Sequence, residues 1–338
     1  MRDGLGVRFS AAVVRVEQGG LVRYERAFGR TRDAAPARAC EIDTRFDLAS
    51  ITKVFAATVA LDAVARGTLT LDAPLTDLVP EWRGTPHAAI TLRRILAHEA
   101  GFKSGADYRT LLDKNVETFA LTEPLAAAPG ERAIYSDLGF IALGAILARA
   151  HGRGLAAYVR ERVRALGART TAYLPRGRER AAIPATETDA WRGEVQGVVH
   201  DEKAYLAGGV AGHAGLFGDA RDVGALAEWY LAALHGRPSP LDPALVREAV
   251  REQAYDPVLR RGLGWALKTQ DENSCGALMS PRTFGHTGFT GTSVWADPAR
   301  DLSVVLLTNA VHYGRTDIRA IRAAVADAAV TATDALAA

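Results

Sequence analysis

The stretch Ala49-Ser50-Ile51-Thr52-Lys53-Val54-Phe55, with the apolar run that follows it to about Ala65, decides the fold of this 338-residue chain. Nearly every residue of the run is apolar, Asp62 excepted, which predicts a helix that is buried on all sides. Gly67 lies just beyond the run and is a typical C-terminal stop. We therefore expect a central helix that starts beside Ser50 and against which the other elements pack.

Ser50 and Lys53 are three residues apart, so they lie on the same face of this helix, one turn from each other. A lysine in that position can act as the partner of a serine nucleophile. Unpaired backbone N–H groups and the positive end of the helix dipole also favour a developing oxyanion there. The alternative is that Ser50 merely caps the helix, because serine is common at helix starts and a lone Ser-x-x-Lys is a weak motif.

Composition and charge exclude several classes of protein. Apolar residues make up 48% and charged residues 24% of the chain, which is typical of a globular protein and argues against disorder. The formal charge is +2 and the arginines are scattered among acidic residues, so we expect no nucleic-acid partner. Cys40 and Cys275 lack a Cys-x-x-Cys spacing and predict neither a zinc site nor a disulfide framework, although a single bridge stays open.

The N-terminal segment contains no continuous apolar stretch, and no run in the chain reaches the length of a membrane span. We therefore expect a cytoplasmic protein with no membrane span, or a periplasmic or secreted one if a signal peptide was removed. The sequence leaves the oligomeric state open.

The order of the patterns predicts a sheet built from both ends of the chain. Alternating residues at 7–16 and 21–28 predict a β-hairpin, and four short strand patterns follow at 263–268, 282–287, 292–297 and 302–308. A final helix is predicted from 316 to about 330. The intervening patterns are mainly helical, at 91–97, 138–150, 155–166 and 220–234. The stretch 176–201 is polar and is expected to be irregular.

This layout predicts a sheet domain formed by residues 1–72 together with 256–338, and a mainly helical domain inserted at 73–255. The active-site cleft is expected between the two. The glycine-rich loop at 208–215 lacks the setting and the lysine of a phosphate-binding loop, so we interpret it as a place of close backbone packing.

Two further short motifs belong with Ser50 and Lys53. Tyr135-Ser136-Asp137 stands immediately before a predicted helix, and His286-Thr287-Gly288 lies on a predicted strand. In this order the set resembles the penicillin-recognising serine hydrolases, most closely the class C β-lactamases, the DD-peptidases and the family VIII esterases. Other stretches resemble the same superfamily and extend the likeness over nearly the whole chain, namely 46–55, 90–102, 208–217, 285–295 and 301–309.

The resemblance implies an α/β (α+β) fold of the β-lactamase/transpeptidase type, in which an antiparallel sheet is flanked by helices. It implies a small-molecule substrate, which is an ester, a β-lactam or a D-amino-acid amide. The substrate would acylate Ser50, and water would then hydrolyse the acyl-enzyme. Neither a cofactor nor a metal is expected.

The nucleophile needs a base within hydrogen-bond reach, because a serine hydroxyl is a weak acid. Lys53 can serve if its pKa is lowered, and Tyr135 is the second candidate by resemblance to class C members. The sequence leaves open which of the two is the base. By the same resemblance, the backbone N–H groups of Ser50 and Phe289 would bind the oxyanion, and the substrate-binding residues would be Asp137, His286, Thr287 and Gly288.

The chain departs from the superfamily pattern at two positions. Asp137 stands where asparagine is usual, and an ionised carboxylate only accepts hydrogen bonds. We expect Asp137 to pair with Lys53 and to keep it charged, which favours Tyr135 as the base. His286 replaces a lysine and is expected to be mostly neutral at pH 7. Both changes favour a broad carboxylesterase with weak β-lactamase or DD-peptidase activity; the alternative is a penicillin-binding receptor or sensor that is acylated without turnover.

Other candidate residues are expected to have structural roles. His98 is interpreted as a helix-end residue and His213 as part of the glycine-rich loop. The run His200-Asp201-Glu202 lacks partners at metal-ligand spacing and is expected to be solvated or to cap a helix. Core positions are expected for three tryptophans, namely Trp191, Trp265 and Trp295.

Overall fold

The computed structural model describes residues 1, 4–255, 258, 260–269 and 273–337. The strands are β1 (Ala11–Gln18), β2 (Leu21–Gly29), β3 (Phe46–Asp47), β4 (Ala172–Tyr173), β5 (Thr188–Asp189), β6 (Gly193–Glu194), β7 (Leu216–Gly218), β8 (Ala254–Tyr255), β9 (Arg260–Arg261), β10 (Ala266–Leu267), β11 (Phe284–Thr287), β12 (Ser293–Asp297) and β13 (Leu302–Thr308). The α-helices are α1 (Ile51–Ala65), α2 (Leu92–Leu96), α3 (Val116–Thr122), α4 (Asp137–His151), α5 (Leu155–Leu166), α6 (Glu202–Leu206), α7 (Ala220–Leu234), α8 (Pro243–Ala249) and α9 (Arg319–Ala337).

An antiparallel sheet of eight strands joins the two ends of the chain. Its order is β2-β1-β13-β12-β11-β10-β9-β8, so the N-terminal hairpin extends a sheet made by the C-terminal strands. The pairing of β1 with β13 runs from Ala12 opposite Thr308 to Gln18 opposite Leu302. The predicted fold class, an antiparallel sheet flanked by helices, is confirmed. The division into a sheet domain and an inserted helical domain stays a prediction.

Strand β13 is buried on both faces, which explains why it is an almost continuous apolar run. Val305 and Leu307 belong to the main hydrophobic core, against which α7 packs. Val304 and Leu306 point to the opposite face and join a second apolar cluster, which α9 covers. The sheet therefore lies between helices, with the larger core on the side of α1 and α7.

Helix α1 is buried on nearly all sides, as its sequence predicts. It contacts α4 and α5 as well as β11. Its one acidic residue, Asp62, pairs with Arg162 of α5 at 2.9 Å, so the buried end of the helix carries no uncompensated charge. Ser50 precedes the first residue of α1, so the contacts of this helix with α4, α5 and β11 hold Ser50 in place.

A small three-stranded sheet, in the order β3-β7-β4, holds the chain just before α1. Phe46 lies opposite Gly218, and the Leu48 N–H donates to the Leu216 carbonyl at 3.0 Å. This sheet was not predicted, because strands of two or three residues leave no periodic pattern. It determines the direction in which the chain enters the helix.

Several expected boundaries differ from the observed ones. The strand expected at 263–268 is only β10, because Gly264 turns the chain with φ of +80° and packs where a Cβ would lie 2.3 Å from the Ala57 Cβ of α1. The last helix begins at Arg319 rather than at Thr316. Trp191 is half-buried beside Tyr108, whereas Trp265 and Trp295 are core residues as expected.

The glycine-rich loop at 208–215 is a place of close backbone packing, as expected. A Cβ at Gly212 would lie 2.1 Å from the Phe140 carbonyl oxygen of α4, so only glycine fits there. Among the described residues, no helix combines the length and the apolar character that crossing a membrane requires.

Candidate active site

Ser50 occupies the N-cap position of α1, but its hydroxyl does not cap the helix. Instead, the Lys53 ammonium lies 3.0 Å from the Ser50 Oγ, one helical turn away. The interpretation of Ser50 as a simple helix cap is therefore wrong. Ser50 lines a cavity, and its hydroxyl oxygen accepts a hydrogen bond from Lys53.

The turn before Ser50 is held in an unusual backbone conformation. Ala49 has a φ of +45°, which is uncommon for a residue with a Cβ and is maintained only by its surroundings. The buried Asp47 carboxylate accepts the Ala49 N–H at 2.8 Å and the His200 N–H at 2.6 Å. Asp47 therefore ties this turn to the loop that contains His200.

Lys53 is fully buried and surrounded by oxygen atoms. Its Nζ lies 2.8 Å from Asp137 Oδ1 and 3.4 Å from the His213 carbonyl oxygen. Burial alone would lower the pKa of Lys53, but the Asp137 carboxylate and the Tyr135 phenol outweigh burial and raise it above its ordinary value. Lys53 is therefore an ammonium at neutral pH, and Asp137 pairs with it as the sequence predicts.

Tyr135 comes from the segment that enters α4, where Ser136 caps the helix by accepting the Gly139 N–H at 3.0 Å. The centroid of the Tyr135 ring lies 4.9 Å from Lys53 Nζ and 4.9 Å from the Arg261 guanidinium carbon. Two cations therefore flank the phenol ring.

His98 also contacts Tyr135, with 4.7 Å between the ring centroids. Its Nδ1 accepts the Ser136 N–H at 3.0 Å, and burial lowers its pKa well below the ordinary value, so the ring is neutral. From the sequence, His98 is interpreted only as a helix-end residue. Its contact with Tyr135 depends on the fold, and a lone histidine after a short helix offers no signal for it.

His286 and Thr287 end β11 and face the same cavity as Ser50. His286 Nδ1 lies 2.8 Å from the Thr287 carbonyl oxygen, to which it donates. Burial, together with the charges of Lys53 and Arg261, lowers the pKa of His286 to about 3. The expected neutral state of His286 agrees with this environment, and its Nε2 then has a free lone pair.

Gly288 follows β11 and packs against the segment that precedes Ser50. A Cβ at Gly288 would lie 2.1 Å from Thr292 Oγ1 and 2.6 Å from the Leu48 carbonyl oxygen. The packing imposes a requirement at this position that is independent of the expected contact with substrate. Glycine is needed here because the backbone itself passes close to the nucleophile turn.

The backbone N–H groups of Ser50 and Phe289 are the two that the resemblance assigns to the oxyanion. In the part of the chain that the structure describes, no group accepts a hydrogen bond from the N–H of Ser50 or of Phe289. The Phe289 side chain is 58% exposed and stacks on His200, with 5.6 Å between ring centroids. Both residues line the cavity, which has a volume of about 540 Å³.

A second lysine, Lys203 of α6, lies beside Lys53. Its Nζ is 3.3 Å from Asp137 Oδ2 and 3.1 Å from Asp201 Oδ2. Asp201 caps α6 by accepting the Ala204 N–H at 2.8 Å, in agreement with the capping role that the sequence favours, and also contacts His213 Nε2 at 2.8 Å. Sequence reasoning missed Lys203, since it follows the polar stretch 176–201 and belongs to no motif.

Asp137, Asp201 and His213 bring three possible ligand atoms within 4.8 Å of one another. Both carboxylates are already bonded to ammonium groups, those of Lys53 and Lys203. A cation between them would meet two positive charges at close range, so this group does not fit a metal.

Comparison with known proteins agrees with this fold and these motifs. The family model described as "Beta-lactamase" matches residues 3–328. A protein of Salmonella typhimurium strain LT2, named "Putative D-alanyl-D-alanine carboxypeptidase", is 32% identical over 322 residues, which cover 84% of this chain and 73% of that protein.

Two solved structures share the fold at lower identity. The class C β-lactamase from Rhodobacter sphaeroides aligns with a TM-score of 0.75 at 21% identity, covering 97% of this chain and 95% of its own. "EstCE1, a hydrolase with promiscuous acyltransferase activity" aligns with a TM-score of 0.75 at 22% identity, covering 96% of this chain and 94% of its own. The chain described here belongs to the β-lactamase family, within the superfamily of penicillin-recognising serine hydrolases.

Proposed function

We propose that this protein hydrolyses small acyl compounds through a covalent acyl-enzyme on Ser50, and that it is a broad carboxylesterase with weaker activity on β-lactams or D-amino-acid amides. One observation carries the proposal. The Ser50 hydroxyl is bonded to Lys53 Nζ at 3.0 Å, at the wall of a cavity that Tyr135 also lines. A serine that only capped the helix would have no need of a buried lysine.

Tyr135 is the group that accepts the Ser50 proton in this proposal. Lys53 is held as an ammonium by Asp137, so it has no lone pair to offer while that pair is intact. The Lys53 Nζ and the Arg261 guanidinium carbon each lie 4.9 Å from the centroid of the phenol ring, so two positive charges are close to the proposed base. Lys53 then keeps the Ser50 oxygen oriented and stabilises the negative charge that develops during proton transfer.

The carbonyl carbon of the substrate is attacked by Ser50 Oγ, and its oxygen becomes an oxyanion. The unpaired N–H groups of Ser50 and Phe289 would donate to this oxygen, and two such donors stabilise a tetrahedral intermediate strongly. Collapse of the intermediate breaks the bond to the leaving group, which takes the proton from Tyr135. Water then attacks the acyl-enzyme by the same steps in reverse.

The polar groups near the nucleophile favour simple esters over penicillin-like compounds. Asp137 only accepts hydrogen bonds, so it cannot donate to the acylamino carbonyl of a penicillin side chain. His286 is neutral and supplies no fixed charge for a substrate carboxylate. An ester with a good leaving group needs neither interaction. Thr287 and Gly288 would contact the substrate along the end of β11.

Intact-mass measurement tests this proposal. The wild type and the variants Ser50→Ala and Ser274→Ala are mixed with p-nitrophenyl butyrate and, separately, with penicillin G. Ser274 lines the same cavity and is the matched control. We expect a transient butyryl adduct on Ser50, rapid p-nitrophenol release by the wild type and Ser274→Ala, and loss of both in Ser50→Ala.

Other outcomes would contradict the proposed hydrolysis. Adducts on Ser50 that persist with both reagents would identify a penicillin-binding receptor or sensor. Undiminished turnover by Ser50→Ala, or the absence of any adduct on Ser50, would exclude the acyl-enzyme mechanism.

A further inference from the structure

Lys53 belongs to a closed ring of charged and polar groups. Asp137 bridges Lys53 and Lys203, with one carboxylate oxygen on each ammonium at 2.8 and 3.3 Å. Asp201 bridges Lys203 and His213, at 3.1 and 2.8 Å. The His213 carbonyl oxygen then accepts from Lys53 at 3.4 Å and completes the ring.

Most of the ring is buried. The side chains of Lys53 and His213 are 0% and 1% exposed, that of Lys203 is 12% exposed, and those of Asp137 and Asp201 are 22% and 21% exposed. Charges in such surroundings interact several times more strongly than at the surface. The net charge of the ring therefore acts directly on Lys53 and on the neighbouring Tyr135.

Asp137 introduces a negative charge that the usual asparagine does not have. Alone, it would bind Lys53 tightly and cancel the positive charge that Tyr135 needs nearby. Lys203 supplies a compensating cation on the second oxygen of the same carboxylate. The two lysines and two aspartates sum to zero, so the substitution of asparagine by aspartate is balanced within the ring.

We propose that Lys203 is a positioning residue for the nucleophile centre: by binding Asp137 Oδ2 it fixes Oδ1 on Lys53 and offsets the negative charge that Asp137 brings to Lys53 and Tyr135. The inference rests on the proposed function of Ser50. It also explains why Asp137 is tolerated at this position. Lys203 does not touch Ser50 and is not itself a catalytic residue.

Other titratable or charged groups also face Lys53 and Tyr135 and enter the expected pH dependence. They come from the end of α2, from β9 and from β11, and they are His98, Arg261 and His286. The loop before β7 adds His213, whose carbonyl oxygen contacts Lys53 and whose ring contacts Asp201. None of them is changed in the experiment, so differences between variants report the charges at 137 and 203.

The test is the pH dependence of kcat/KM for p-nitrophenyl butyrate, followed at the isosbestic wavelength of nitrophenol. For a phenol or an amine that acts as base, kcat/KM rises with pH through the pKa of that group in the free enzyme. Lys203→Met removes a nearby cation, which raises this pKa whichever group is the base. We expect the rising limb of the pH profile of kcat/KM to shift to higher pH by about one unit, which reduces kcat/KM at pH 7 about tenfold.

Four further variants make the test specific. Asp137→Asn removes the negative charge, so the rising limb should move to lower pH. The double variant Asp137→Asn/Lys203→Met restores the net charge of the ring, and its limb should return to within about half a unit of the wild type. Lys203→Arg keeps the cation and should leave the rising limb in place. Lys114 is exposed and lies just before α3, and Lys114→Met should also leave the rising limb in place.

The outcomes separate this inference from the proposed function. If the wild type forms the Ser50 adduct but the limb of Lys203→Met coincides with that of the wild type, Lys203 has only a structural role. The same holds if the double variant is displaced as far as Lys203→Met. Thermal unfolding of each variant shows whether lost activity is lost folding, since misfolding lowers the amplitude without moving the limb.

Discussion

Gly288 packs against Leu48 so closely that a Cβ at residue 288 would lie 2.6 Å from the Leu48 carbonyl oxygen. The same carbonyl accepts a hydrogen bond from Thr292 Oγ1 at 3.2 Å. The end of β11 is therefore joined to the turn that presents Ser50. This contact holds the two proposed oxyanion donors, the N–H groups of Ser50 and Phe289, at a set distance. A small displacement there should therefore slow the reaction at Ser50.

Gly288→Ala is expected to lower kcat/KM by about 100-fold, because the Phe289 N–H moves away from the oxyanion. The overpacked joint should also lower the free energy of unfolding by about 1–3 kcal/mol. Ester turnover and chemical denaturation measure the two effects. Gly154→Ala is the control, since nothing lies within 4 Å of a Cβ at that position. Wild-type turnover by Gly288→Ala would remove Phe289 from the mechanism.

Tyr135→Phe is expected to lower kcat by about 10²- to 10⁴-fold, because the phenol hydroxyl is the proposed proton acceptor. The ring and its contacts with His98 remain, so the melting temperature should change little. Stopped-flow acylation with the nitrophenyl ester measures the loss. Tyr158→Phe is the matched control: the Tyr158 hydroxyl is buried without a hydrogen-bond partner among the described residues. Near-normal acylation by Tyr135→Phe would make Lys53 the base.

His286 makes the fold sensitive to acid. Its pKa is lowered to about 3 in the folded chain, whereas in the unfolded chain it is expected near 6.5. The unfolded state therefore binds the extra proton first, and stability is lost as the pH falls from about 6.5 toward 3. Between pH 7 and pH 5 this residue alone should cost about 2 kcal/mol of unfolding free energy.

The variant His286→Asn checks this value, because an amide can still donate to the Thr287 carbonyl but does not titrate. Chemical denaturation at pH 7 and pH 5 measures the unfolding free energy that each protein loses over this range. The loss in His286→Asn should be smaller than that in the wild type by about 2 kcal/mol. His98 remains in both proteins, and its lowered pKa contributes equally to each. An equal loss in both would mean that His286 is not held neutral by the fold.

The sequence predicts the long elements well because their patterns are complete. Helix α5 and strand β13 have the predicted bounds, since a capped amphipathic helix and an apolar strand between turns leave clear signals. Helices of five to seven residues leave only a weak periodic pattern: α2 was predicted, whereas α3, α6 and α8 were missed.

The three motifs predict which residues meet at Ser50, but not which neighbours tune them. His98 and Lys203 reach Tyr135 and Asp137 only through the tertiary structure. Lys203 lies next to a segment that was interpreted as polar and irregular, where neither hydrophobic period nor motif marks a position. The charge balance at Asp137 could therefore not be found from local patterns.

Asn309 offers a stability prediction that is independent of the active site. Its side chain makes four buried hydrogen bonds: Oδ1 accepts from the Ser10 and Ala11 N–H groups, and Nδ2 donates to Ser10 Oγ and the Ala185 carbonyl. Asn309→Asp turns the donor toward Ala185 into a charged acceptor, so unfolding free energy should fall by about 3 kcal/mol. In Asn115→Asp, at an exposed helix cap where aspartate serves equally well, the change should stay below about 0.5 kcal/mol. Urea denaturation measures both changes. The kcat/KM of folded Asn309→Asp should equal that of the wild type. A loss of turnover without a loss of stability would mean that the contacts of Asn309 with Ser10 and Ala11 also position the active site.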